Sequence, residues 1–140
     1  MSIREQNLET IAPVLATFKI SQSVGVDQLK DADIGCPVAL TGNSEVGPLT
    51  ENGQLLGKLI TLTLTDADDG DRLATVQIGG VCRLTIGSPF PTVGNRVVGG
   101  VGHTVKQAPA LTADDPAGGN IARGTVLEVN GTVDCVILLN

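Results

Sequence analysis

Aromatic side chains are nearly missing from this sequence. Its 140 residues include two Phe and neither Trp nor Tyr. Proteins that bind single-stranded nucleic acid, and most that read RNA, stack bases on aromatic rings. Sugar-binding sites and interface hot spots also favour such rings, so the sequence argues against all of these binding modes. Folding remains possible, because Leu, Ile, Val and Phe supply 43 of the 140 residues, enough apolar surface for a folded domain.

Basic residues are also scarce. Nine Lys and Arg stand against fifteen Asp and Glu, a net charge of -6, and the excess of acid lies in residues 1–70. A phosphate-binding surface needs clustered Lys and Arg, so we expect no direct nucleic-acid partner. No stretch approaches the roughly 20 apolar residues that span a bilayer. The polar opening Ser2–Asn7 predicts no secretory leader, and we expect no membrane partner.

Residues that usually carry catalysis or bind metals are few. Cys36, Cys82 and Cys135 lie far apart without a C-x-x-C pair, and His103 is the single histidine. A four-ligand zinc site would need more ligands, and nothing local to His103 suggests a nucleophilic triad. The acidic run 66–71 lacks the spacing of an EF-hand. We therefore expect no catalytic residue, no metal and no cofactor, and a protein that is not an enzyme.

Alternating apolar residues predict strands from Phe18 onward. In the segment 58–65, Ile60, Leu62 and Leu64 would share one face, as in a half-buried strand. The segments 73–78 and 81–86 alternate in the same way. Gly79-Gly80 between them has the signature of a two-residue hairpin. The sequence thus predicts a three-stranded meander over 58–86.

Shorter strands and frequent turns fill the rest of the chain. Strands are predicted at 36–40, 96–98 and 103–106, with a closing hairpin over 126–139. A strict two-residue turn in that hairpin would place Leu127 opposite Asp134, which indicates a longer loop or a bulge. Turns are predicted at 47–48, 51–53 and 93–95, a chain break at 89–91, and a loop over 107–120. This pattern indicates an all-β fold, a small barrel or sandwich of short antiparallel strands.

The N-terminal segment 1–17 differs from this pattern and is predicted to form an arm on a single domain, 18–140. Leu8 and Ile11 could form one side of a short helix that Pro13 would end. Its apolar side is thin, so the helix would be marginal in water. We expect the arm to order on docking, although packing on its own domain explains the pattern equally well.

Four residues are candidates for contact with a partner or a neighbouring subunit: Leu8, Ile11, Pro13 and Phe18. For Phe18 the sequence favours a different role, in which Phe18 and Ile20 begin the first barrel strand.

An ordered series of short segments from Cys36 to the C-terminus resembles phage capsid decoration (cement) proteins of the small β-barrel type. The series covers roughly 100 residues, and the order of the segments carries the resemblance. The segments are Pro37–Leu40, Gly57–Ile60, Asp69–Gly70, Ala74–Gln77, Gly80–Leu84, Pro91–Val97, Arg123–Glu128 and Val133–Leu138. The loop 107–120 is longer than in that family, and the arm does not align.

This resemblance implies a structural virion protein. Such proteins bind the outer surface of an expanded icosahedral capsid, often as homotrimers over local threefold positions, and clamp neighbouring major capsid subunits. The implied partner is the major capsid protein and the implied location is the virion surface, after synthesis in the host cytoplasm. Their N-terminal arms often dock on the shell or on a neighbour.

Two other classes of function stay open. A ligand-binding or carrier β-barrel would need convergent polar groups in a pocket or a modified lysine, and neither Lys58 nor Lys106 sits at a tight hairpin tip. A small enzyme with a site shared between subunits would need Asp, Arg and His103 brought together.

Overall fold

The computed structural model describes residues 13–63, 72–109 and 122–140. Within these ranges the chain consists of strands, turns and one turn of 3₁₀ helix at Asp31–Asp33. This confirms the all-β prediction. The predicted arm helix, the run 66–71 and most of the loop 107–120 lie outside the described residues. The strands are β1 (Val14–Ile20), β2 (Gln22–Ser23), β3 (Val26–Asp27), β4 (Pro37–Gly42), β5 (Glu45–Pro48), β6 (Gly57–Leu62), β7 (Leu73–Thr85), β8 (Val97–Gly99), β9 (Val105–Gln107), β10 (Thr125–Asn130) and β11 (Asp134–Leu139).

Five of the described strands close a small barrel. Their order is β1-β5-β4-β6-β7, and β7 pairs back onto β1. Closure removes the exposed edges that an open sheet would present. The pairings are antiparallel except at one seam, where β5 runs parallel to β1 with Lys19 opposite Glu45. This seam departs from the predicted antiparallel pairing, because the β4–β5 hairpin turns β5 back into the direction of β1.

The interior of the barrel is aliphatic. The faces predicted for 73–78 are confirmed, since Ala74 and Val76 are buried inside and Ile78 packs against them. The face predicted for β6 is wrong at Ile60. A register shift between Leu59 and Thr61 puts Leu59 into the core and leaves Ile60 half-buried. The barrel cluster consists of Ile20, Leu29, Val38, Val46, Leu59, Leu62, Ala74 and Val76.

Strand β7 is longer than predicted because it does not reverse at Gly79-Gly80. It runs continuously for 13 residues, so the third strand of the predicted meander is the continuation of the second. At the diglycine the strand exchanges partners: Val14 of β1 lies opposite Gly79, and Leu139 of β11 lies opposite Gly80. Gly80 has φ +86°, a conformation that glycine adopts at little cost. The glycines therefore bend the strand out of the barrel.

The second half of β7 pairs with β11, and β11 pairs with β10, so these strands form a second sheet that is continuous with the barrel through β7. The predicted irregularity of the closing hairpin is confirmed. Its loop is three residues long, and a register shift between Val126 and Glu128 forms a bulge at Leu127. Cys82, Leu84 and Ile86 share the buried face, as predicted. The second core consists of Leu49, Leu55, Cys82, Leu84, Ile86, Val97, Val105, Val126, Cys135, Ile137 and Leu139.

The remaining predictions are confirmed in part. Strands β8 and β9 match the predicted strands, and turns lie at 51–52 and 93–94. The turn predicted at 47–48 is wrong, because both residues belong to β5. The first strand begins at Val14 rather than at Phe18, so the last four residues of the predicted arm belong to the barrel.

Candidate functional site

The structure describes two of the four predicted contact residues, Pro13 and Phe18. Pro13 is exposed directly before β1, whereas Phe18 lies within β1 and packs against the barrel cluster. The role favoured for Phe18 from the sequence, part of the first barrel strand, is therefore confirmed. Leu8 and Ile11 lie outside the described residues, and their contact role stays a prediction.

The β2–β3 hairpin presents an apolar tip to solvent. The side chain of Val24 is fully exposed, and that of Val26 is 55% exposed. Val24 also has φ +53°, an outlier for a β-branched residue. Val24 thus has an unfavourable backbone conformation, and its side chain is not buried in return. It therefore does not stabilise the isolated chain. Strain of this kind points to a role for the tip itself.

The base of this hairpin is fixed to the barrel. The Ser21 backbone N–H donates to the Val46 carbonyl at 2.8 Å, and the Gln28 N–H donates to the Ser21 carbonyl at 2.9 Å. The Ser21 hydroxyl also donates to Oε1 of Gln28 at 2.6 Å. The tip is therefore held at a defined position relative to the barrel, as a contact surface requires.

Other large apolar side chains are exposed at turns and strand ends of the described ranges. Those at least two-fifths exposed, beyond the hairpin, are Val14, Leu15, Ile34, Leu40, Leu73, Phe90, Val93, Val101 and Val133. Single exposed apolar residues are normal on a protein surface, so these side chains do not by themselves identify a site.

A groove of about 530 Å³ lies between β4, the segment 50–56 and β7, with Arg123 in its wall. Partial burial lowers the pKa of the Arg123 guanidinium. That group donates hydrogen bonds to the carbonyls of Leu55, Leu56 and Ile78. The guanidinium thus joins the segment before β6 to the bend in β7. The rest of the described lining is mainly aliphatic, so the groove lacks the convergent polar groups that a specific ligand site needs.

One cluster of side chains was missed by the sequence interpretation. Asp33 and Cys36, at the 3₁₀ turn, meet His103 in the loop between β8 and β9. One ligand atom from each residue lies within 4.8 Å of the other two. Nε2 of His103 lies 3.8 Å from Oδ1 of Asp33. His103 therefore lies beside two other potential ligands, while 46% of its side chain remains exposed. No local signal in the sequence could have revealed this cluster. His103 is distant in sequence from Asp33 and Cys36, and only the folded chain brings the loop between β8 and β9 next to the 3₁₀ turn.

The thiols of Cys36 and Cys82 are not activated for nucleophilic attack. Burial raises the pKa of Cys36, and the Asp33 carboxylate raises it further. Burial in the second core raises the pKa of Cys82 to about 11, against the smaller opposing effects of Lys58 and Arg123. A nucleophilic cysteine needs the reverse, a lowered pKa. The Asp33, Cys36 and His103 cluster therefore lacks the electrostatics of a cysteine hydrolase.

The two lysines considered for a carrier function are part of the fold. Lys58 lies half-buried in β6. Lys106 lies in β9, and its Nζ forms an ion pair with Oε1 of Glu51 at 3.3 Å. Neither lysine is at a hairpin tip, where a carried group would need to be attached.

Comparisons with protein-family models, with curated proteins and with solved structures found no match to this chain. Among the residues that the structure describes, no helix has the length and apolarity required to cross a membrane.

Proposed function

We propose that this chain is a structural virion protein that binds the outer surface of an expanded icosahedral phage capsid. In this proposal it assembles as a homotrimer at local threefold positions and clamps neighbouring major capsid subunits. Stabilisation follows from mass action, because a protein that binds only the assembled shell stabilises it by its binding free energy. No catalytic step is needed.

The observation that carries the proposal is the strained, fully exposed Val24 at the anchored tip of the β2–β3 hairpin. Burying an exposed valine at an interface would contribute about 1.5–3 kcal/mol, enough to offset the backbone strain. A trimer would present three such tips to a matching set of sites, and linked contacts bind with higher avidity than single ones.

The order of the resembling segments supports the same function. Pro37–Leu40 lies in β4, Gly57–Ile60 in β6, and Ala74–Gln77 with Gly80–Leu84 in β7. These segments form the framework of the barrel and, in the second half of β7, part of the second sheet. The β2–β3 hairpin stands before all of them in sequence, so the framework and the proposed contact are separate parts of the chain.

The experiment measures binding of the purified chain to expanded, undecorated heads of the phage that encodes it, together with the native mass of the free protein. We expect a mass of three 14.3 kDa chains and saturable binding to the heads. Substitution Val24→Asp should weaken binding at least about tenfold, because an aspartate cannot be buried without a partner. Val133→Asp, at an exposed valine of the β10–β11 turn, is the matched control and should bind normally.

A second variant separates the effect of backbone strain at Val24 from the effect of its proposed contact with the shell. Val24→Gly removes the unfavourable side chain at positive φ, so the chain should be at least as stable to urea as the wild type, while head binding still falls. A monomeric protein that does not bind expanded heads would overturn the proposal. Normal binding by both Val24 variants would remove the hairpin tip from the contact.

A further inference from the structure

The cluster of Asp33, Cys36 and His103 contains three different metal-ligating groups: a carboxylate, a thiol and an imidazole. The donor atoms come from two segments that are far apart in the sequence, the 3₁₀ turn with the residues just after it and the loop between β8 and β9. Asp33 is largely buried, with 19% of its side chain exposed, and His103 is 46% exposed. The cluster is thus closed on its protein side and accessible to an ion from solvent.

The distances suit a small tetrahedral ion. Bonds of about 2.0–2.3 Å to O, N and S place neighbouring ligand atoms of a tetrahedral zinc site roughly 3.2–3.8 Å apart. A nitrogen and an oxygen ligand lie near the short end of that range, so the His103 Nε2 to Asp33 Oδ1 distance of 3.8 Å has to shorten by about 0.5 Å. The other pairs lie within 4.8 Å, so side-chain rotations of about 1 Å would close the site. Hard cations such as Ca²⁺ and Mg²⁺ prefer oxygen ligands, whereas thiolate with imidazole favours zinc.

Backbone contacts hold the ligands in place. The Lys30 N–H donates to Oδ2 of Asp33 at 2.8 Å, which leaves Oδ1 directed at the cluster. The Cys36 N–H donates to the Asp33 carbonyl at 3.0 Å, and the Gly35 N–H to the Leu59 carbonyl of the barrel at 2.7 Å. Such outer contacts orient the ligands of metal sites.

The histidine loop is equally well defined. The Gly100 N–H donates to the Thr104 carbonyl at 2.8 Å, and the Thr104 hydroxyl donates to the Val101 carbonyl at 2.8 Å. Between them His103 adopts φ +61°, a conformation uncommon for residues other than glycine. The backbone is therefore somewhat strained at His103 in the conformation that places its imidazole near Asp33.

We propose that Asp33, Cys36 and His103 bind one Zn²⁺ per chain, with water at the fourth position. The ion would cross-link the 3₁₀ turn, which is anchored on the barrel, to the loop between β8 and β9, which packs on the second sheet. The expected effect is on stability, because metal binding to the folded state adds to folding stability. The site is independent of the proposed capsid contact, so either proposal can fail without the other.

Zinc binding is tested on the full-length, untagged, reduced chain, because a polyhistidine tag would bind the ion itself. After chelator treatment and its removal, titration with Zn²⁺ should show one saturable site per chain by calorimetry. Co²⁺ in place of Zn²⁺ should give the absorption of a thiolate-bound tetrahedral cobalt ion. Zn²⁺ should also raise the melting temperature and slow hydrogen exchange in the 3₁₀ turn and the histidine loop.

The variants are Cys36→Ala, Asp33→Asn and His103→Asn, the last chosen because asparagine tolerates positive φ. Each should lower zinc affinity by at least the roughly 10- to 100-fold that even an outer contact contributes, and Cys36→Ala should abolish the thiolate absorption. Asp31→Asn is the matched control. Asp31 lies in the same turn, but its carboxylate pairs with Arg72 at 2.7 Å, so zinc affinity should stay unchanged.

Three results would overturn the site. They are no saturable binding by the wild type, wild-type affinity in both Cys36→Ala and His103→Asn, and cobalt binding without thiolate absorption. A melting temperature measured without metal shows whether each variant is folded. Cys36→Ala keeps both buried cysteines, so thiolate absorption that persists in that variant would assign the metal to another part of the chain.

Discussion

Cys82 couples the stability of the second core to alkaline pH. Its thiol is buried, and its folded pKa of about 11 exceeds the ordinary value of 9.0. The unfolded chain therefore loses this proton first as the pH rises. The stability that the neutral thiol contributes is fully present below about pH 9 and is lost between about pH 9 and 11. Two pKa units correspond to about 2–3 kcal/mol.

The corresponding prediction compares the wild type with Cys82→Ala. Free energies of unfolding in urea, with reductant present, are measured from about pH 8 to pH 11. The stability advantage of the wild type over the variant should shrink by about 2–3 kcal/mol across this range. Lys and Arg titrations are shared by both proteins and cancel in the difference. If the difference in free energy of unfolding between the wild type and Cys82→Ala does not change with pH, the folded state does not favour the neutral Cys82 thiol.

For His103, the sequence identifies a residue that can bind a metal or a proton but not the residues around it. Its chemistry was evident from the sequence, but its partners were not, because Asp33 and Cys36 lie far before it in the chain and reach it only through the packed fold. Phe18 is the opposite case. Its role in β1 follows from local alternation with Ile20, and the sequence predicts it correctly.

At the scale of elements, the bend in β7 is the junction on which both sheets depend. Gln77 is a buried polar residue beside it, 6% exposed. The Gln77 side-chain amide donates to the carbonyls of Gly79 and Val81, each at 3.0 Å. A bent strand cannot pair all of its backbone groups with neighbouring strands, and an unpaired buried carbonyl is costly. The amide therefore satisfies the groups that the bend releases.

Replacing this amide tests its role. Gln77→Leu keeps a side chain of similar size but leaves both carbonyls without this donor, so the free energy of unfolding should fall by about 2–4 kcal/mol. Urea denaturation measures the change. Gln107→Leu, at an exposed position of β9, is the control and should stay within about 0.5 kcal/mol of the wild type. Equal stability of Gln77→Leu and the wild type would mean that the bend is held by strand pairing alone.

The elements also show why local patterns are an incomplete guide to topology. The alternation in 73–78 and 81–86 correctly assigns both buried faces, because alternation is a property of any extended strand. The same pattern cannot show whether Gly79-Gly80 reverses the chain or bends it. That depends on which strands are available to pair with the next residues, and here β11, at the far end of the chain, pairs with the second half of β7. The bulge at Ile60 has the same non-local origin in the register of β6 against β7.

At the scale of the whole molecule, two aliphatic cores share one strand. The barrel cluster lies around the first half of β7 and the second core around its second half. The scarcity of aromatics limits how much area each residue of these cores can bury. A protein of this size also buries a smaller fraction of its surface than a large one. In the proposed function, association with a shell would bury more, and the arm that the sequence sets apart from the barrel is the segment predicted to dock there.

Removal of residues 2–13 tests this contribution. Pro13 directly precedes β1, so the deletion stops where the barrel begins, and the circular dichroism spectrum and urea midpoint should stay close to those of the full chain. Binding to expanded heads should weaken, because each large apolar side chain of the arm that is buried on the shell would contribute about 1.5–3 kcal/mol.

A full-length variant that carries both Leu8→Ser and Ile11→Ser tests whether these apolar side chains, rather than the length of the arm, provide the affinity for the heads. It should lose most of the affinity that the deletion loses, since the two residues carry the apolar side of the predicted helix. Unchanged head affinity in both proteins would exclude the arm from the contact and leave the β2–β3 hairpin as the proposed site. A deletion that unfolds the barrel would instead show that the arm packs on its own domain, the alternative that the sequence left open.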